Sequence, residues 1–70
     1  MPIVTIRMAT GRTLDQKRRL AAEVTRAVAG ALDLPAELVS LQIEEFDRSN
    51  WATGGELHID KLGPGYGKPR

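Results

Sequence analysis

The sequence predicts an α+β fold: a βαβ unit followed by a short C-terminal hairpin, in a chain that associates with copies of itself. Three observations carry this. A β-branched run opens the chain, an amphipathic run with a helix-start signature follows, and a second alternating run comes after it. Length adds a further constraint. A chain of 70 residues is short enough to need disulfides, a metal or subunit contacts to complete its core, and it has no cysteine and a single histidine. With thiols absent and no clustered carboxylate-histidine pattern, subunit contacts are what remain.

The first element is the run from Pro2 to Met8, Pro-Ile-Val-Thr-Ile-Arg-Met, bounded by the turn-like Ala9-Thr10-Gly11. Proline suits the first position of a strand, where its missing N–H costs the ladder little. Alternation sends Val4, Ile6 and Met8 to one face and Ile3, Thr5 and Arg7 to the other, so both faces carry apolar surface. A helix follows. Thr13-Leu14-Asp15-Gln16 has capping-box spacing. Leu20, Val24, Ala27, Val28 and Ala31 recur at helical spacing, with Lys17, Arg18, Arg19, Glu23 and Arg26 largely outside that stripe. Asp33-Leu34-Pro35 closes it, because proline drives the residue before it out of the α region.

Leu38 to Phe46 reads as the second strand, with Val39, Leu41 and Ile43 on one face and Ser40, Gln42, Glu44 and Phe46 on the other. Strand, helix of about five turns and strand make one βαβ unit, with parallel strands and a right-handed crossover. Past the turn-rich Asp47-Arg48-Ser49-Asn50, the segments 51–56 and Leu57-His58-Ile59 read as short extended pieces around a Gly54-Gly55 bend. The tail, residues 63–70, has no periodicity and reads as irregular. No internal repeat or second domain is visible, so residues 1–70 are expected to form a single domain.

Composition excludes several function classes. Ten Lys and Arg against nine Asp and Glu leave a net charge of +1, with signs interspersed, which gives nucleic acid no basis for bulk attraction. The aromatics number one Phe, one Trp and one Tyr, too few for a base-stacking platform. No stretch reaches the length of a membrane span and the amino terminus lacks the blocks of a signal peptide, so no membrane partner and a cytoplasmic location are expected. His58 reads as structural or surface, and no metal site is expected. Glu44, Glu45 and Asp47 do not imply a paired-carboxylate site, since adjacent strand residues point to opposite faces. No helix after Gly54-Gly55 lends a dipole to a phosphate, so those glycines read as a bend.

Pro2 carries the chemistry. Methionine before a small residue such as proline is normally trimmed, so removal of Met1 is expected to leave Pro2 with a free secondary amine. An α-amino group has a reference pKa of roughly 7.7 to 8.0, and partial burial with nearby cations disfavours its protonated form. Near neutrality such an amine is a general base that becomes, on protonation, an acid placed to return the proton elsewhere. Taken alone, a Met-Pro start is also what a strand-opening proline looks like. Arg12 alone reads as a solvated residue before a helix, and Trp51 as ordinary packing.

Taken together, Pro2-Ile3-Val4-Thr5-Ile6, then Gly11-Arg12-Thr13 with Asp15-Gln16-Lys17, then Trp51-Ala52-Thr53-Gly54-Gly55-Glu56, resemble the 4-oxalocrotonate tautomerase family of the tautomerase superfamily. The match runs from Pro2 to about Glu56, essentially without gaps. The resemblance implies the tautomerase/MIF-like fold, a hexamer whose sites draw on more than one subunit, and a cofactor-independent keto-enol tautomerase. It makes Pro2 the catalytic base, Arg12 the holder of a substrate carboxylate, and Trp51, in place of a phenylalanine, part of the apolar wall. Arginine suits a carboxylate because its rigid fork donates two parallel hydrogen bonds.

One position departs from the pattern. Where the family enzyme acting on a dicarboxylate has a second arginine, this chain has Ser40, which supplies one hydrogen bond and no charge. Gln42, on the same face, is a further candidate donor. Arg7 and Arg48 are the other cations from which the missing charge would have to come. The expected substrate is a small 2-hydroxy-dienoate or enol of a 2-oxo acid bearing a carboxylate. The alternatives are a hydratase or dehalogenase of an unsaturated acid, with Pro2 as a cationic acid, and a non-catalytic oligomeric scaffold.

Overall fold

The computed structural model of the chain describes residues 1–62, and the expected irregular tail lies outside the described residues. The chain forms β1 (Ile3–Ala9), α1 (Leu14–Leu32), a 3₁₀ turn (Ala36–Leu38), β2 (Ser40–Phe46), a second 3₁₀ turn (Arg48–Asn50), β3 (Ala52–Thr53), β4 (Glu56–Leu57) and α2 (His58–Leu62).

Gly11, at φ 121°, takes the chain out of β1 through a backbone conformation closed to most side chains. α1 then starts with the capping box in place. The Gln16 N–H donates to Thr13 Oγ1 at 3.1 Å, and the Thr13 N–H donates to Gln16 Oε1 at 2.9 Å. At its other end Asp33 adopts the left-handed conformation, φ 54°, with its N–H donating to the Ala29 carbonyl, so the helix has turned off before Pro35 is reached.

β1 and β2 pair in parallel, with Ile3 opposite Ser40, Ile6 opposite Ile43 and Ala9 opposite Phe46. The helix-side face carries Val4, Ile6, Met8, Leu41 and Ile43, all half-buried, while Ile3, Thr5, Arg7, Ser40, Gln42, Glu44 and Phe46 are exposed on the other face. β1 starts one residue later than the sequence predicts and ends one residue later. Pro2 still joins the ladder through its carbonyl, which accepts the Ser40 N–H at 3.1 Å, and the Thr10 N–H extends the ladder to the Phe46 carbonyl at 3.0 Å.

Three expectations need correction. Leu38 belongs to a 3₁₀ turn and β2 begins at Ser40, because Pro35 opens a turn in which its carbonyl takes the Leu38 N–H and the Ala36 carbonyl takes the Val39 N–H. The inward stripe of α1 is rotated from the predicted one. Ala27 and Ala31 are exposed, while Ala21 and Thr25 are half-buried and Ala29 is buried. Lys17 also turns inward, half-buried, to pair with Glu45 on the helix side of β2. A lysine can do this because its alkyl stem packs on apolar surface while its ammonium meets a carboxylate. Finally, His58 and Ile59 are not extended: β3 and β4 pair around Gly54 and Gly55, and the chain then winds into α2. Both glycines have positive φ, 64° and 83°, as a two-residue turn matched to strand twist requires.

The two layers enclose little. Ala29 is the only buried hydrophobic residue among the described residues, and Ile3, on the open sheet face, is 68% exposed. A sheet of two strands has an unpaired edge on each side, and here the face away from the helix is bare as well. No helix among the described residues is long and apolar enough to cross a membrane.

Candidate active site

Pro2 sits half-buried at the amino end of β1, where the register brings it beside Ser40. Met1 projects away at 83% exposure, so its removal would uncover the proline nitrogen without stripping packed side chain. The Ser40 N–H to Pro2 carbonyl bond anchors the proline from the backbone, independently of what side chain position 40 carries. Gln42 lies two residues further along the open face, paired with Thr5.

Arg12 and Trp51 lie at the other end of the sheet. Seven residues of β1 separate Ile3 from Ala9 by about 20 Å. Arg12 follows Ala9 by three positions and lines a cleft of about 210 Å³ with Met8, Gln16, Lys17 and Leu20. That cleft opens on the helix side, since Met8, Lys17 and Leu20 belong to that face. Trp51 comes after β2 and lines a second cleft of about 250 Å³ with Arg7, Phe46 and Asn50, on the open side of the sheet. Of the residues singled out from sequence, then, one chain brings Pro2 and Ser40 together and leaves Arg12 and Trp51 remote from them. Within a single chain the five do not make one site.

The Trp51 cleft has an internal order that sequence reasoning missed. The indole meets Phe46 edge-on at 6.5 Å between ring centroids, and His58 lies flat on it at 4.7 Å with the planes 16° apart. The hairpin register explains this. Ala52 pairs with Leu57, so the next rung outward sets Trp51 against His58, and the His58 N–H donates to the Trp51 carbonyl at 2.7 Å. Counting back from the Gly54-Gly55 bend would have found it. Arg7, which reads in sequence as a surface residue, reaches this cleft while its Nε donates to Glu44 Oε2 at 3.0 Å. Among the described residues no three His, Asp or Glu side chains gather in a group able to hold a metal ion.

A βαβ protomer with a proline in second position opening its first strand, and a glycine-bent hairpin after its second, defines a small class of proteins. Residues 2–61 match the family described as "Tautomerase enzyme", and the chain belongs to that family. It is 43% identical over 61 residues to a probable tautomerase of Bacillus cereus, covering 87% of this chain and all of that protein. It is 39% identical over 56 residues to the 2-hydroxymuconate tautomerase of Pseudomonas sp. strain CF600, covering 80% of this chain and 89% of that one. Among solved structures, the heterohexamer 4-oxalocrotonate tautomerase from Chloroflexus aurantiacus superposes with a TM-score of 0.81 at 35% identity, over 86% of this chain and 97% of that one.

Proposed function

We propose that the protein is a cofactor-independent tautomerase acting on a small 2-hydroxy-dienoate or enol of a 2-oxo acid, with the amine of Pro2, exposed by loss of Met1, as general base and then general acid. The observation that carries this reading is the placement of Pro2. It stands at the head of a strand, half-buried and anchored by its carbonyl, behind a methionine that is 83% exposed. The amine lone pair takes the proton of the enol hydroxyl, leaving a dienolate, and the resulting ammonium gives that proton to a carbon of the same conjugated system. The step balances with no oxidant, metal or co-substrate.

Arg12 holds the substrate carboxylate and Trp51 supplies an apolar wall that lowers the local dielectric and favours the neutral amine. Because both lie at the far end of the sheet from Pro2, the site is completed across copies of the chain, in a homo-oligomer that we take to be a hexamer. Exposed apolar residues and bare sheet edges support this assembly. Ser40 and Gln42 offer hydrogen bonds beside the proline.

The test compares mature protein with a form that retains Met1, in which the proline nitrogen is an amide and carries no basic lone pair. Tautomerisation of a 2-hydroxy-2,4-dienoate should nearly vanish in the retained form and fall in Pro2→Ala. Equal rates in retained and mature protein would remove Pro2 from the mechanism. Titration of the amine separates the rival reactions, since a hydratase or dehalogenase needs it cationic at working pH.

A further inference from the structure

Two rings pack on Trp51 among the described residues. No hydrogen bond among the described residues fixes the indole, it is 37% exposed, and the torsion that orients an aromatic ring is broad. Phe46 meets one side of it edge-on, and the flat face is covered by His58. His58, by contrast, is tied down twice. Its backbone N–H closes the hairpin onto the Trp51 carbonyl at 2.7 Å, and its Nε2 lies 2.7 Å from Thr53 Oγ1. A hydroxyl both donates and accepts, so that bond persists whichever tautomer the ring adopts. The imidazole is therefore a fixed plane, and the indole lies against it.

We propose that His58 is a positioning residue: pinned by Thr53 and stacked on Trp51, it sets the angle of the indole and so the width of the cleft that Trp51 forms with Arg7, Phe46 and Asn50. The inference rests on the reading of Trp51 as a wall of the substrate site. It assigns the chain's one histidine a task in substrate fit and none in proton transfer. It also gives Thr53 a function, as the hydroxyl that stops the imidazole turning about its own bond. The substrate of the proposed function is flat and conjugated, so the angle of the indole decides how closely such a planar group fits the cleft. Arg7 at the rim suits the planar group's anionic end.

Trp51 is the chain's one tryptophan, so intrinsic fluorescence reports this site directly. His58→Ala should raise KM about three- to tenfold, the size of one aromatic contact, with kcat within about twofold. It should also increase acrylamide quenching of Trp51. His58→Phe and Thr53→Val each keep a ring plane and lose the bond between positions 53 and 58, so both should fall between the parent and His58→Ala in KM and in quenching. A role confined to hairpin stability would not divide KM from kcat. Unchanged quenching and KM in folded His58→Ala overturn the proposal, as does His58→Phe behaving like alanine. If His58→Ala does not fold, Thr53→Val and His58→Phe decide, and parent-like quenching in Thr53→Val would count against it. Trp51→Ala separates the positioning role from the wall on which it depends. Should Trp51→Ala leave KM unchanged, the wall reading fails; should it raise KM while His58→Ala does not, the positioning inference alone fails.

Discussion

Replacing Ser40 with arginine should convert a protein indifferent to a second carboxylate into one that prefers it. Position 40 lies on the open face at the Pro2 end, opposite Ile3, and its side chain is exposed. The Pro2 anchor uses the backbone N–H of residue 40, so the substitution leaves it in place. A charge-assisted contact to a carboxylate is worth about 1.5–3 kcal/mol, which corresponds to roughly ten- to a hundredfold in kcat/KM. The assay compares two 2-hydroxy-2,4-dienoates, one bearing one carboxylate and the other two, in the parent and in Ser40→Arg. The parent should turn over both about equally, and the variant should favour the dicarboxylate within that range. Arg12→Ala should damage both. The reasoning fails if the parent already prefers the dicarboxylate by about a hundredfold, a full charge-assisted contact, because a cation must then already occupy that role. Arg7, which lines the Trp51 cleft, would be the first to substitute.

Sedimentation velocity at micromolar concentration should show an assembly near hexamer mass, and a folded monomer would contradict the inference from bare sheet edges and exposed Ile3. Thr13→Ala removes the capping oxygen that receives the Gln16 N–H and should cost about 1 kcal/mol in denaturant unfolding, with the assembly held at constant concentration. No change would mean that the box is redundant in the assembled protein.

The elements built on local signals were legible. Thr13 and Gln16 carried the helix start in their spacing, Gly54-Gly55 carried the hairpin, and alternation in β1 and β2 assigned their faces correctly. What local pattern left undecided was how each element rolls against its neighbour. The stripe on α1 is broad and alanine-rich, so hydrophobicity alone fits two adjacent faces. A charge pair across layers, Lys17 with Glu45, accompanies the face that is used, and charged residues read by default as solvated. The place of His58 is hidden in sequence for a similar reason. Its value lies in a partner seven positions away, across the bend, and only hairpin register makes the two neighbours. The separation of Pro2 from Arg12 and Trp51 follows from strand length, and needed only the parallel topology to be taken seriously.

That separation has a direct consequence for how activity should respond to mixing. Pro2 stands at the amino end of a parallel pair, and Arg12 and Trp51 at its carboxyl end, about 20 Å along the strand. On the proposed mechanism each chain would supply Pro2 to one site and Arg12 to another, joined across different copies in a closed symmetric assembly. The form that retains Met1 and the Arg12→Ala protein should each be nearly inactive alone. When the two are unfolded, mixed in equal amounts and refolded together, a site that draws its proline and its arginine from different chains has an even chance of an intact residue at each. About a quarter of the sites should then be complete, and that share of parent activity should return. A site drawing both residues from one chain would recover nothing, because no chain in the mixture carries both in working form. Recovery near zero, in a mixture shown to have exchanged subunits, would overturn the shared site, and assembly would then have no role in completing it.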